Sequence, residues 1–200
     1  MLQQHFEALY TASDDPWQVR ARWYEQRKRA ILLASLGKQR YRSAFEPGCG
    51  NGEMTAALAP RCERLLACDG AAAAVAAARK RIGEHGAGTA IEQRSLPAEW
   101  PAGASFDLIL MSELGYYFEP AALDAMLAQA RANLGHDGEL VLCHWLHDFD
   151  DRVMPTADLH ARAGALPGLV RTLRHEDQDF LIEAWRAAPA ANATTSGAAS

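Results

Sequence analysis

The chain has 200 residues, 49% of them hydrophobic and 22% charged, which is enough apolar material for one full-sized core and too much for a disordered protein. Its net charge of -5 argues against nucleic acid as a partner, and its four cysteines lack the Cys-x-x-Cys spacing of a zinc site or the pattern of a disulfide framework. No signal-peptide core opens it and no run of about 18 apolar residues occurs in it, so a cytoplasmic protein without membrane attachment is expected.

Leu2 to Tyr10 reads as a short helix leading to Ser13-Asp14-Asp15-Pro16, where Ser13 or Asp14 can cap and Pro16 suits a first helical turn. A long helix is expected from Trp17 to Leu36, with Val19, Trp23, Ala30 and Leu33 on its apolar side and Arg20, Arg27, Lys28 and Arg29 charged. Residues 1–42 carry eight Lys or Arg against four Asp or Glu, a balance that an amphipathic solvated helix explains. Tyr41 to Phe45 is a strand, and Glu46-Pro47-Gly48-Cys49-Gly50-Asn51-Gly52 turns it into a helix from Glu53 to Leu58. A second strand ends at Asp69, a helix dense in alanine spans Ala71 to Ile82, and Thr89 to Arg94 is a third strand. Leu96 to Ser105 holds two prolines and Gly103, which a crossover helix does not tolerate. Phe106 to Met111 has the continuous apolar run of a buried parallel strand. The polar and aromatic loop Ser112-Glu113-Leu114-Gly115-Tyr116-Tyr117 follows. Pro120 to Leu134 is a helix, Gly135 to Gly138 a turn, and Glu139 to Cys143 a fifth strand ending at His144-Trp145. Ala157 to Ala163 is a short helix. Leu169–Leu173 and Asp179–Trp185 stand too close for a crossover and must form an antiparallel hairpin. From residue 187 the composition loses its core residues and a disordered tail is expected.

Strands alternating with helices and closed by a hairpin describe a doubly wound α/β sheet, whose ligands bind at the carboxyl ends of the strands. Gly48, Asp69, Ser95, Glu113 and His144 all fall at such ends. Glycines at alternate positions let backbone approach a ligand where a Cβ would collide. The spacing is Gly-x-Gly-x-Gly, unlike the dinucleotide fingerprint, and Glu46 would repel a phosphate but suit an ammonium group. Asp69, at the end of the second strand, is placed to take ribose hydroxyls. A nucleoside with an ammonium and no phosphate satisfies all three features, and S-adenosylmethionine is such a molecule.

These segments resemble the class I S-adenosylmethionine-dependent methyltransferases. Asp15-Pro16-Trp17, Trp23 to Arg29, Leu96 to Pro101, Ser112 to Tyr117, His144-Trp145 and Asp179-Phe180 resemble, more narrowly, the subfamily of the rhizobial nodulation N-methyltransferase acting on chitooligosaccharides. The resemblance implies a Rossmann-like seven-stranded sheet of order 3-2-1-4-5-7-6 with the last strand antiparallel. It implies one methyltransferase domain over 1–186, with 1–37 as a helical lid and 40–186 as the α/β core. Gly48, Gly50 and Gly52 would line the methionine part, Glu46 would face the ammonium, and Ser95 or Leu96 would meet the adenine. Many relatives carry an acid there, whereas this chain has none until Glu99. The set expected around the cofactor is Trp17, Arg20, Trp23, Glu46, Gly48, Cys49, Gly50, Gly52, Asp69, Gly70, Ser95, Leu96 and Ser112.

Methyl transfer to an amine needs an unprotonated nitrogen held in line with the methyl group. Glu113, Tyr117 and His144 are the catalytic candidates: Glu113 to hold an ammonium, His144 as proton acceptor near neutrality, with a structural hydrogen bond as its alternative role. His160 borders the same region. No metal is expected. The acceptor is expected to be a small amine or amino sugar, met by a monomer or weak homodimer. O-methylation, protein methylation and a non-catalytic S-adenosylmethionine-binding role remain as alternatives.

Overall fold

A computed structural model describes residues 2–83 and 86–188. Helices α1 (Leu2–Ala12) and α2 (Trp23–Ser35) precede β1 (Ala44–Pro47), α3 (Glu53–Leu58), β2 (Leu65–Asp69), α4 (Ala72–Ile82) and β3 (Thr89–Gln93). Then come β4 (Phe106–Ser112), α5 (Pro120–Asn133), β5 (Leu134–Trp145), α6 (Thr156–Gly164), β6 (Leu169–Glu176) and β7 (Phe180–Ala187). All seven strands form one sheet of order β3-β2-β1-β4-β5-β7-β6, the order expected. Strands β1 to β5 pair in parallel, and β7 runs antiparallel to both β5 and β6. Among the described residues no helix is long and apolar enough to cross a membrane.

The apolar run of β4 is buried on both faces because successive side chains alternate. Ile109 and Met111 join Leu140 and Leu142 against Leu123, Met126 and Leu127 of α5 and Leu159 of α6. On the other face, Leu108 and Leu110 join Val141 and Cys143 against Leu32 of α2 and Leu58 of α3. All four cysteines are buried and free.

Three elements differ from the sequence reading. Instead of a helix from Trp17, residues 17–22 make turns and α2 starts at Trp23. The Asp15 carboxylate accepts the N–H groups of Val19 (2.8 Å) and Arg20 (3.2 Å), and Gln18 takes a φ of 57°, which breaks the helical path. Strand β1 begins at Ala44, since the Arg42 and Ser43 N–H groups donate to the Asp107 carboxylate at 3.0 and 2.8 Å. Gly135 to Gly138 is an outward bulge inside β5: Phe106 pairs Leu134, but Leu108 pairs Glu139. Of the tail expected from 187, Ala187 belongs to β7, and residues 189–200 lie outside the described residues.

Glu139 is buried at the amino ends of the strands. Its Oε2 accepts the Tyr41 hydroxyl at 2.7 Å and the Gly37 N–H at 3.1 Å, while the Tyr41 oxygen accepts the Lys38 N–H at 3.2 Å. Tyr41→Phe strips a donor from this carboxylate and an acceptor from Lys38, so urea unfolding should show a loss of about 1–3 kcal/mol. Ligand affinity at the opposite, carboxyl-end rim should not change.

Candidate functional site

The turn after β1 is fastened to β2 by two N–H groups, those of Gly48 and Cys49, which donate to the Cys68 carbonyl at 2.8 and 2.9 Å. Gly48, Gly50 and Gly52 have φ of 72°, 54° and 81°, a region open to glycine. Asp69 then ties the turn to the next element. Its Oδ2 accepts the Gly50 N–H at 3.0 Å and its Oδ1 the Ala71 N–H at 2.9 Å. Burial raises the Asp69 carboxyl above its usual range, against the pull of these backbone amides.

Glu46 lies beneath the turn, 2% exposed, and its Oε2 has no hydrogen-bond partner. Burial pushes its carboxyl up to about 8 against the pull of the Thr55 hydroxyl, and the charge of Asp69 adds a smaller push in the same direction as burial. A buried carboxylate without a donor is costly, so the arrangement favours a cation arriving from outside the chain.

Helix α1 covers this crevice. Gln3, Glu7 and Tyr10 stand three and four residues apart and so share one helical face. The Gln3 amide donates to the Gly70 carbonyl at 2.7 Å, and its oxygen accepts the Ser95 hydroxyl at 3.2 Å. The Glu7 carboxylate accepts the Ala73 N–H at 3.3 Å, in the first turn of α4. A Cβ on Gly50 would stand 2.5 Å from the Tyr10 hydroxyl. Phe6 and Tyr10 pack on Trp17 at 6.1 and 5.7 Å between ring centroids. Asn51 holds the same cover by donating to the Asp14 carbonyl (3.2 Å) and Asp15 Oδ1 (3.0 Å), and Arg20 bonds Glu53 at 3.1 Å. Gln3, Glu7, Tyr10 and Asn51 were not singled out from the sequence, although the spacing of the first three was a readable signal.

On the other side of the crevice, Ser112 ends β4, Glu113 takes a φ of 54°, and Gly115–Tyr117 forms a short 3-10 turn. Tyr117 packs against Phe6 at 4.9 Å and Phe149 at 5.6 Å. Burial and the Glu113 charge raise its phenol, which stays protonated. A lysine missed in the sequence, Lys28 of α2, is buried here with its Nζ 2.8 Å from Glu113 Oε1 and 2.9 Å from Glu25. Burial would discharge it, yet Glu113 and Glu25 outweigh that and raise its pKa.

Several expected site residues are placed differently. Glu113 is not free to hold an acceptor ammonium: Lys28 takes Oε1, and Oε2 accepts the Tyr116 hydroxyl and, at 3.3 Å, the Trp145 N–H. His144 is not an available proton acceptor, because it is fully buried and both ring nitrogens are engaged, by Gly115 and His160. Its pKa is driven well below the ordinary value by burial, then by His160. Trp23 lies on the surface, 73% exposed, in a groove with Tyr24, Arg27 and residues 177–179. Gly52 serves packing, since a Cβ there would meet the backbone of Ala78 in α4 at 2.9 Å. The Cys49 side chain points into the cluster of Ala67, Val75 and Ile91. Leu96 packs on the core, and the late acid Glu99 folds back so that its carboxylate accepts the Ser95 N–H at 2.5 Å. Helix α2, read as part of a lid, is docked by buried Lys28 and Leu32. Among the described residues no group of three or more His, Cys, Asp or Glu is arranged for a metal.

The model of the nodulation protein S (NodS) family matches residues 4–145. Nodulation protein S of Sinorhizobium fredii is 34% identical over 114 residues, 56% of this chain and 51% of that protein. The chain spans about half the length of the nodulation S proteins it matches. Among solved structures, a candidate methyltransferase of Pseudomonas syringae is 42% identical with a TM-score of 0.73, covering 82% of this chain and 99% of that one. The N-methyltransferase NodS of Bradyrhizobium japonicum, solved with S-adenosyl-L-homocysteine, superposes with a TM-score of 0.81 at 23% identity, covering 92% and 97%. At that identity the likeness is one of fold.

Glu46 links this site to stability. Its folded pKa of about 8 exceeds the ordinary 4.5, so the folded chain holds a proton that the unfolded chain has released. Stability from this group is complete below about pH 4.5 and is lost as pH rises through about 8. Glu46→Gln should flatten that decline and raise the melting temperature of the ligand-free protein at pH 8, measured by calorimetry from pH 5 to 8. A variant that melts below the wild type at pH 8 would contradict this account.

Proposed function

The chain belongs to the nodulation protein S family, and from that premise we propose that it is a methyltransferase that uses S-adenosylmethionine and acts on a small amine, an amino sugar being favoured. The observation that carries this reading is the unpartnered Glu46 oxygen, buried at a glycine turn with Asp69 and no basic side chain bonded to either. A ligand with an ammonium and a ribose but no phosphate meets both carboxylates. The absence of a side chain at Gly50 also lets the cover close on the turn, since a Cβ there would collide with the Tyr10 hydroxyl.

When bound, S-adenosylmethionine supplies a methyl group on a positively charged sulfur. Glu46 would hold the ammonium, and Asp69, kept in place by Gly50 and Ala71, would offer its remaining lone pairs to the ribose. Ser95 and the returning Glu99 stand where the adenine edge is expected. Tyr10, Trp17 and Arg20 would close the crevice, keeping water from it and strengthening the interactions inside. On the acceptor side, Tyr117 with Phe6 and Phe149 forms an aromatic wall that positions a substrate and attracts cationic character. Lys28 already neutralises Glu113, so an amine gains little there by arriving protonated. Positioning supplies most of the rate in this reading, and Tyr117 acts as a hydrogen-bonding partner because its phenol stays protonated.

The full chain should transfer labelled methyl from S-adenosylmethionine to the nitrogen of glucosamine, of deacetylated chitooligosaccharide or of a simple amine. Binding without transfer to any amine would remove the amine reading and leave O-methylation or a non-catalytic role. In calorimetry, Asp69→Ala should weaken S-adenosylmethionine binding about 10-fold or more, at least about 1.4 kcal/mol. Binding should also release close to one proton near pH 7, as Glu46 ionises against the ammonium. Heats that are independent of the buffer's ionisation enthalpy would count against that contact.

The cover gives a separate expectation. No residue of α1 is fully buried, so removing residues 2–12 should leave the sheet folded by circular dichroism while S-adenosylmethionine affinity falls several-fold. Unchanged affinity would reduce α1 to peripheral packing.

A further inference from the structure

The 3-10 turn Gly115–Tyr117 is held from behind by a chain of buried polar groups that the reaction itself does not use. Gly115 donates its N–H to His144 Nε2 at 3.2 Å. A nitrogen that accepts carries no proton, so the proton of the neutral ring sits on Nδ1. His144 Nδ1 lies 3.0 Å from His160 Nε2, which must then be the acceptor, and His160 Nδ1 lies 3.0 Å from Glu183 Oε2. The other carboxylate oxygen of Glu183 accepts Arg171 at 2.8 Å and Arg174 at 2.7 Å, from β6. His144, His160 and Glu183 are at most 3% exposed, whereas the two arginine side chains are 53% and 43% exposed. One proton arrangement satisfies every member, and its direction is set at the arginine end.

We propose that His160 and Glu183 are positioning residues: they hold His144 in the Nδ1–H form, so that its bare Nε2 fixes Gly115 and with it the turn carrying Tyr116 and Tyr117. Gly115 belongs to the device. A Cβ there would meet Leu159 at 2.5 Å and His144 Nε2 at 3.4 Å, so only glycine brings its N–H this close. Tyr116 lies edge-on to His144 at 5.1 Å, and Trp185 flanks His160 at 6.1 Å. The charges acting on His144 are those of Lys28 and Arg152, and on His160 those of Glu183, Arg174 and Glu113. Burial comes first among the causes that lower both imidazoles, which keeps the pair neutral. A reversed or doubly protonated His144 would point an N–H at the Gly115 N–H and push the turn off its place. A displacement of about 1 Å at a positioned substrate can cost about 10²-fold in rate.

This inference rests on the turn being the acceptor side of the site, so its test has an arm independent of turnover. Imidazole nitrogen NMR on the full chain should show both histidines with protonated Nδ1 and bare Nε2, unchanged from pH 6 to 8. Titration of either near neutrality, or an Nε2–H form at His144, overturns the proposal even if no methyl acceptor is known. In the kinetic arm, His144→Leu should lower kcat about 10²-fold while S-adenosylmethionine affinity stays within about twofold. His144→Gln, whose amide oxygen can accept the Gly115 N–H, should recover at least a tenth of wild-type kcat. His160→Phe should fall between them. Equal loss in the Leu and Gln variants would mean that the imidazole takes part in proton transfer, and wild-type rates in both would mean that the turn needs no such support. Either result overturns the assignment. Failure of the wild type to methylate amines, with the NMR result as expected, would instead fault the functional reading alone.

Discussion

A buried carboxylate, Glu46, and a half-buried one, Asp69, neither bonded to a lysine or arginine among the described residues, are the constraint around which this molecule is arranged. Asp69 meets the constraint with backbone amides, and that solution dictates the geometry of the glycine turn. Glu46 meets it by binding a proton more tightly than an ordinary carboxyl. Left alone, the pair is a cost to the fold. Perturbed groups of this kind concentrate where a ligand completes the electrostatics, and here the missing complement is a cation.

The side proposed for the acceptor shows the opposite arrangement. Its carboxylates, Glu25 and Glu113, enclose an internal ammonium, Lys28, and its histidines are satisfied by one another and by Glu183. Its charged groups and imidazoles are thus paired within the chain, although the buried Tyr24 hydroxyl beside Lys28 has no partner among the described residues. The two halves of the crevice therefore have distinct characters: one electrically incomplete, the other rigid and walled by aromatic rings. Helix α2 joins them, because Lys28 reaches the turn after β4 while the segment just ahead of the helix bonds Asn51 and Glu53.

The parallel core was legible because its strands are buried on both faces and therefore read as unbroken apolar runs, β4 above all. The glycine turn with its acids was legible because the residue types and spacing carry the chemistry. What could not be read depends on partners distant in sequence. Gly52 resembles its two neighbours in the motif, but only the approach of Ala78 shows that it serves helix packing. His144 stands at a strand end like a catalytic histidine, and His160 and Gly115 show it to be internal. Trp23 has the composition of a lid residue, yet it lies on the outside face of a helix whose start was displaced by Asp15. In each case tertiary contacts outweighed a local pattern. The strand order itself came from family resemblance, since alternation of strands and helices fixes a class of sheet and not a permutation.

The antiparallel course of β7 has a practical side. It enters beside Trp145 at the rim and leaves beside Glu139, at the amino ends of the central strands. Helix α1 instead begins over Gly70, on the rim itself. A fluorophore or affinity handle joined ahead of Leu2 would therefore emerge in the mouth of the crevice and compete with whatever enters it. The same handle joined directly to the end of β7 would lie at the opposite edge, with the length of the strands between it and the chemistry.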